Sequence, residues 1–467
     1  MNEATRTPLR KAIGPFQFFA LAIGVIIGSA WVVLVGDLLL LGGPGGAILG
    51  FAAGGCVMIL VAAAYGELVS RIPVAGGEFI FAYRLFGRRV GFLVGWFITL
   101  YLVASTAFEA IALAAIMQTL LPSIRGPELY SLLGQPVALG GVVLGAIGTL
   151  LITFLNYRDV RLAVGFQGAV TYTFLVVAFG VIIIGLALGH PSNMLPIFAS
   201  PQDSSPWFGA LSIFATSAYF LTGFQAVPQA IEERAEGVSA RTISRVMVLS
   251  VAIAAAFLCL VVVAVSMAAP WQSIANQPMM TAVALSKLKF GSALATIVLI
   301  AAAASLLKTW NALALMASRL LMAQARENLL PPWLANIHPA HKTPAIATLL
   351  VGILTMTGIL LGRGALLPIV DMGSVCLAVT FVLGFLGVMK LRRAGITAPA
   401  GAGVPGGMWV LWLGVVGASV MAIFALAEPV LTGHRTVPIE WILLVAWSVL
   451  GALVYRRDDA PATSRAT

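Results

Sequence analysis

Apolar residues along this chain gather into long runs, and twelve of them reach the roughly 20 residues a helix needs to cross about 30 Å of hydrocarbon. The predicted spans are 16–40, 46–69, 90–121, 137–155, 162–188, 207–230, 246–268, 291–325, 344–361, 366–389, 408–427 and 438–455. The second, third and eighth exceed a simple crossing and read as tilted or overlong. The first lacks a small-residue cleavage site and runs into a predicted glycine-rich turn at Gly42, Gly43, Pro44, Gly45 and Gly46, so it reads as a membrane helix and not as a cleaved leader.

The polar stretches between the runs carry the orientation. With both termini on one side, that side holds 21 Lys and Arg, whereas the other holds 5: Arg125, Lys287, Lys289, Arg363 and Arg435. Positive residues stay cytoplasmic, so both termini are expected there, in a multi-pass protein of the cell (inner) membrane. The remaining cation, Lys308, falls in the middle of the eighth run. The predicted division is a tail at 1–15, a ten-helix core at 16–389 with halves 16–188 and 207–389, two further helices within 390–455, and a tail at 456–467.

Composition narrows the chemistry. Only 9% of residues are charged and 60% are hydrophobic, which excludes a water-soluble globule, where about a quarter is charged. The net charge of +10 reports orientation and not nucleic-acid binding. Cys56, Cys259 and Cys376 lie far apart in apolar runs, and His190, His338, His341 and His434 all fall in predicted loops, so no metal site or cofactor is expected. No nucleophile cluster, nucleotide motif or repeated pore filter stands out, which disfavours an enzyme, an ATP-driven pump and a channel.

Two runs are interrupted by glycine in corresponding places, a mark of transporters with discontinuous helices. The first contains Gly24-Val25-Ile26-Ile27-Gly28-Ser29-Ala30-Trp31, and the sixth contains Tyr219-Phe220-Leu221-Thr222-Gly223-Phe224-Gln225, with Pro228 beyond. Glycine makes departure from helical geometry cheap, and the freed backbone groups need polar partners that lipid does not supply. A helix restarting near Ser29 and Ala30 favours a carboxylate, and freed carbonyls from Phe220 to Thr222 favour an ammonium group. The other reading of Gly24 and Gly28 is a small-residue packing stripe. Glu109 follows Gly28 by 81 residues and Lys308 follows Gly223 by 85, as an inverted repeat of five helices predicts.

These motifs together resemble the amino acid-polyamine-organocation superfamily of bacterial amino acid permeases, over nearly the whole chain. The resemblance rests on Ile27-Gly28-Ser29, Tyr65-Gly66-Glu67-Leu68, Pro73-Val74-Ala75-Gly76-Gly77-Glu78, Thr222-Gly223-Phe224, Pro228 through Glu233, and Ala317-Ser318-Arg319 through Pro331. It implies an all-α integral membrane protein with the leucine-transporter fold: twelve transmembrane helices, a five-plus-five inverted repeat, and broken helices 1 and 6. It further implies substrate binding by Ile26, Gly28, Ser29 and Ala30 and by Phe220, Leu221, Thr222 and Gly223, with an aromatic gate at Tyr219. Phe224 and Asp371 are further gate candidates, although Asp371 also suits a solvated helix end. Three departures stand out: Ala30 where the family often has glycine, Gln225 where it often has an acid, and Phe174 nearest to a fifth-helix lysine of sodium-independent members.

Ionisable residues inside a bilayer are costly and mark function. Two roles are open to Lys308: replacing a cation or carrying a proton in the transport cycle, or pairing permanently with Glu109. Glu109 is open to pairing, to meeting a substrate amine, or to carrying the proton. Glu67, Glu232 and Glu233 read as boundary residues or inner-gate partners of nearby arginines. The expected activity is secondary active transport of an amino acid by alternating access, sodium-independent and proton-coupled. The alternatives are a polyamine or amine permease and an amino acid exchanger. The expected partners are the small-molecule substrate, a proton and the lipid bilayer, without nucleic acid, in a monomer or homodimer.

Overall fold

A computed structural model describes residues 13–74, 76–158, 160–199, 205–431 and 437–456. The tail residues 1–12 and 457–467, together with Ala75, His434 and Arg435, lie outside the described residues. The first half runs α1 (Pro15–Ile26), α2 (Ala30–Arg71), α3 (Gly77–Phe86), α4 (Arg88–Leu120), an antiparallel hairpin of β1 (Glu128–Leu132) and β2 (Gln135–Ala138), α5 (Leu139–Arg158) and α6 (Val160–Leu188). The second half runs α7 (Pro206–Phe220), α8 (Ala226–Gln229), α9 (Ala240–Ala268), α10 (Trp271–Ile274), α11 (Met280–Ser286), α12 (Gly291–Arg326), α13 (Ala345–Ile359) and α14 (Leu366–Arg393). Two helices follow, α15 (Gly407–Leu431) and α16 (Ile439–Val454).

The apolar runs account for these elements closely. Helix α1 with residues 30–42 forms the first crossing, residues 44–71 form the second, and α7 with α8 forms the sixth. Helix α12, with 36 residues, spans roughly 54 Å at 1.5 Å per residue, in keeping with the overlong eighth run. The turn expected at residues 42–46 is there but narrow: two helical segments, 30–42 and 44–71, meet at Gly43, which alone leaves helical geometry (φ 67°, ψ 177°). Pro44 has no N–H to lose there, and the Gly45 N–H donates to Ile197 O at 2.7 Å, so the segment before α7 holds the kink. A Cβ on Gly43 would come 2.5 Å from Ala199 N, which is why the bend sits on glycine.

Helices α1, α2, α7 and α9 pack into one group, and α4, α5, α12 and α13 into another. The second group is cross-linked by buried polar pairs: Asn156 Nδ2 donates to Asn311 Oδ1 (2.8 Å), Gln324 Nε2 to Thr99 Oγ1 (3.1 Å), and Thr106 shares a hydrogen bond with Thr355 (2.6 Å). Such bonds between helices contribute where lipid offers no competing partner. Large apolar side chains project outward instead, with Val176 74% and Leu453 78% exposed. In water that belt would be an aggregation surface, and in a bilayer it faces hydrocarbon.

Candidate functional site

The first helix opens between α1 and α2. Ile27 N–H still reaches Ile23 O, but Gly28 N–H turns back to Ile26 O at 2.9 Å. Gly24 C=O thereby loses the donor that a continuous helix would supply four residues on. Lys308 Nζ replaces it, donating to Gly24 O at 2.7 Å. The amides of Ser29 and Ala30 meet no acceptor among the described residues, and they open the first helical segment of α2, residues 30–42. The Ser29 hydroxyl donates sideways to Ala302 O of α12 at 3.0 Å, which ties the restarted helix to the second packing group.

The sixth helix opens at residues 221–225. Leu221 N–H closes the last turn of α7 on Ser217 O, and the next backbone bond is Ala226 N–H to Gly223 O. The carbonyls of residues 218–222 are left without a backbone donor among the described residues. Gln225 pins the gap from within: its Oε1 accepts from Gly223 N–H (2.6 Å) and its Nε2 donates to Thr222 Oγ1 (2.5 Å). Gly223 has φ 130°, and a Cβ there would meet Ile26 N at 2.8 Å, so the two breaks rest backbone against backbone.

A cavity lies where the breaks meet, with about 70 Å³ open to the centres of water molecules. Residues 25–31 form one wall, and Tyr219, Phe220 and Thr222 another. Helix α4 adds Tyr101, Ser105, Phe108 and Glu109, and α12 adds Thr309 and Leu313. Of the expected site residues, Ile26, Gly28, Ser29, Ala30, Tyr219, Phe220, Thr222 and Glu109 thus come together. Leu221 is fully buried and turns to Gly55, away from the cavity.

Tyr101, Ser105 and Phe108 escaped the sequence reading because α4 carries no break or proline to mark it. The available signal was spacing: Tyr101, Ser105 and Glu109 recur every four residues, on one helix face. Glu109 is 9% exposed, with the Thr309 hydroxyl beside it, and its Oε2 has no hydrogen-bond partner among the described residues. Trp31 Nε1 and Ser105 Oγ are likewise buried without a partner in hydrogen-bond geometry among the described residues, and the Tyr101 and Tyr219 hydroxyls are the polar groups that interact with Ser105.

Lys308 is 3% exposed and interacts electrostatically with Glu109, yet the two form no ion pair; its hydrogen bond goes to Gly24. On the fifth crossing, the residue against Gly24 is Thr171, whose Cγ2 would sit 2.8 Å from a Cβ there, and Phe174 packs on Trp31. Tyr219 packs edge-on to Tyr101 (5.8 Å between centroids) and against Phe108 (5.9 Å). Phe224 lies beyond the break, edge-on to Tyr65 and beside Phe381. Asp371 is not among the cavity-lining residues; it borders a different cavity with Glu428 and Glu440.

On the side where α1 begins, Glu67 is fully buried and joins three segments. It is paired with Arg71 and accepts from Arg392 (2.6 and 2.8 Å) and from Val404 N–H (2.6 Å).

Comparison with known proteins agrees with this architecture. The chain is 27% identical over 459 residues to the methylthioribose transporter of Bacillus subtilis (strain 168), covering 96% of this chain and 93% of that one. It is 23% identical over 457 residues to the branched-chain amino acid permease BcaP of the same organism, covering 96% and 92%. It is 26% identical over 415 residues to the human cationic amino acid transporter 4, covering 84% of this chain and 62% of the relative. The amino acid permease family model matches residues 13–450, and with it the two broken helices and the cavity between them. The chain therefore belongs to the amino acid permease family, as a multi-pass membrane transporter.

Proposed function

We propose that this transporter carries an amino acid across the cytoplasmic membrane by alternating access, driven by protons and independent of sodium. The observation that carries the reading is the Lys308 ammonium on the Gly24 carbonyl at the first break. A fixed positive charge hydrogen-bonded there supplies the stabilisation that a bound cation would give to the broken helix. The substrate carboxylate meets the Ser29 and Ala30 amides at the start of α2, where the helix dipole adds to the hydrogen bonds. Its ammonium group meets the donor-free carbonyls of Phe220, Leu221 and Thr222. Tyr219 with Phe108 closes one side of the cavity and Phe224 with Tyr65 the other. Glu109 carries the coupling proton, next to the Lys308 charge. A polyamine would leave the Ser29 and Ala30 amides unused, which favours a zwitterion.

The test is uptake of labelled amino acids and polyamines by the full chain in sodium-free proteoliposomes, with and without an inward proton gradient. Accumulation of an amino acid that requires the gradient supports the reading, and dependence on sodium overturns the role given to Lys308. Uptake that ignores the gradient and needs internal amino acid means exchange.

A further inference from the structure

We propose that Glu109 and Ser105 form a hydroxyl-recognition subsite, and that the substrate is a small amino acid whose side chain carries a hydroxyl group. This rests on the amino acid carrier reading and sharpens it. Ser105 and Glu109 both line the cavity, and among the described residues neither Glu109 Oε2 nor Ser105 Oγ, both buried, has a partner in hydrogen-bond geometry, with the Tyr101 and Tyr219 hydroxyls the polar groups nearest to Ser105. Buried polar atoms left unpaired are destabilising, so a wall that keeps two of them side by side on α4 is built for a ligand that satisfies them.

The missing group is defined by chemistry and by size. A hydroxyl has one donor and two acceptor positions, so it donates to Glu109 Oε2 while accepting from the Ser105 O–H. It also accepts from Glu109 when that carboxyl holds a proton, so the match persists through a cycle in which Glu109 gains and loses one. An ammonium group, with donors only, matches one of the two states. An aliphatic side chain leaves both atoms unpaired. The cavity between the breaks is small, which favours the short side chain of serine or threonine over the long chain of lysine or arginine.

The experiment compares near-isosteric pairs, serine with alanine and threonine with valine. Purified full-length protein is titrated with each, reading the ligand-induced rise in thermal midpoint, and the four compete for uptake in proteoliposomes. A hydrogen bond to a charged group corresponds to about tenfold or more in affinity, so serine and threonine are expected to act at tenfold lower concentration than their partners. The preference collapses in Glu109→Leu and persists in Glu109→Gln, which keeps a carbonyl acceptor at the same reach. Equal potency of serine with alanine and of threonine with valine in the unmodified protein overturns the subsite, and this comparison needs no variant to fold. If none of the four binds while a sugar thioether such as methylthioribose does, the amino acid reading itself fails.

Discussion

Gly223 and Gly28 both sit at helix breaks, yet a methyl group added to each meets different surroundings. At Gly223 the backbone has φ 130° and a new Cβ would lie 2.8 Å from Ile26 N, which is backbone and does not yield. Gly223→Ala is therefore expected to destabilise the protein by about 2 kcal/mol or more and to abolish uptake, read from the thermal midpoint in detergent and from proteoliposome transport. At Gly28 the nearest atom is Thr309 Cγ2 at 3.9 Å, an ordinary contact at the cavity wall. Gly28→Ala should leave the midpoint unchanged and raise the substrate concentration for half-maximal uptake, because the methyl occupies ligand space. A variant that behaves the other way round at either position would reassign which glycine bears the packing. Lys308→Ala removes the donor to Gly24 O and leaves that carbonyl buried without it. Uptake should fall at least tenfold, and Lys308→Ala transport regained by adding sodium would identify the ammonium as an ion substitute.

At the scale of elements, the side that holds the start of α1 is latched by two contacts distant from the cavity. One is the Glu67 hub, which joins the end of α2 to the end of α14 and to the loop before α15. The other is backbone pairing of Ile13 with the end of the sixth crossing: Ile13 N–H to Glu233 O and Ala235 N–H to Ile13 O, both 3.0 Å. Replacing Glu67 with alanine strands two arginine charges, one with its side chain 3% exposed, and should cost about 3 kcal/mol in thermal stability. Glu67→Ala with an unchanged midpoint would mean that the hub is solvated. The sequence made the breaks legible, because glycines and the polar residues around them stand out in an apolar run. It left Gln225 as a missing acid, whereas the side chain acts as an internal staple, a role that depends on the local path of residues 222–225. Nor did spacing single out Thr171 as the fifth-crossing residue against Gly24, because helix register there is fixed by packing.

For the whole molecule, apolar run length specified the crossings nearly end to end, since hydrocarbon thickness dictates helix length and lipid forbids unpaired backbone. The hairpin at residues 128–138 and the short helix α3 were not legible, as neither crosses the bilayer and no length rule governs them. Orientation is a separate matter, for packing is the same whichever way the protein faces. It rests on the split of 21 against 5 positive residues, an asymmetry that acts during insertion. Two exposed positions test it: Ser131 in β1, on the side with few cations, and Thr397 in the loop joining α14 to α15, on the side of the termini. In a background with Cys56, Cys259 and Cys376 replaced by serine, Ser131→Cys is expected to react with a membrane-impermeant thiol reagent on intact cells. Thr397→Cys should react only once the membrane is permeabilised. The reverse pattern would turn the protein over, put the Glu67 latch on the outer face, and make Phe224 the outer gate. Labelling of both positions from one side would remove a crossing between them and break the twelve-helix count.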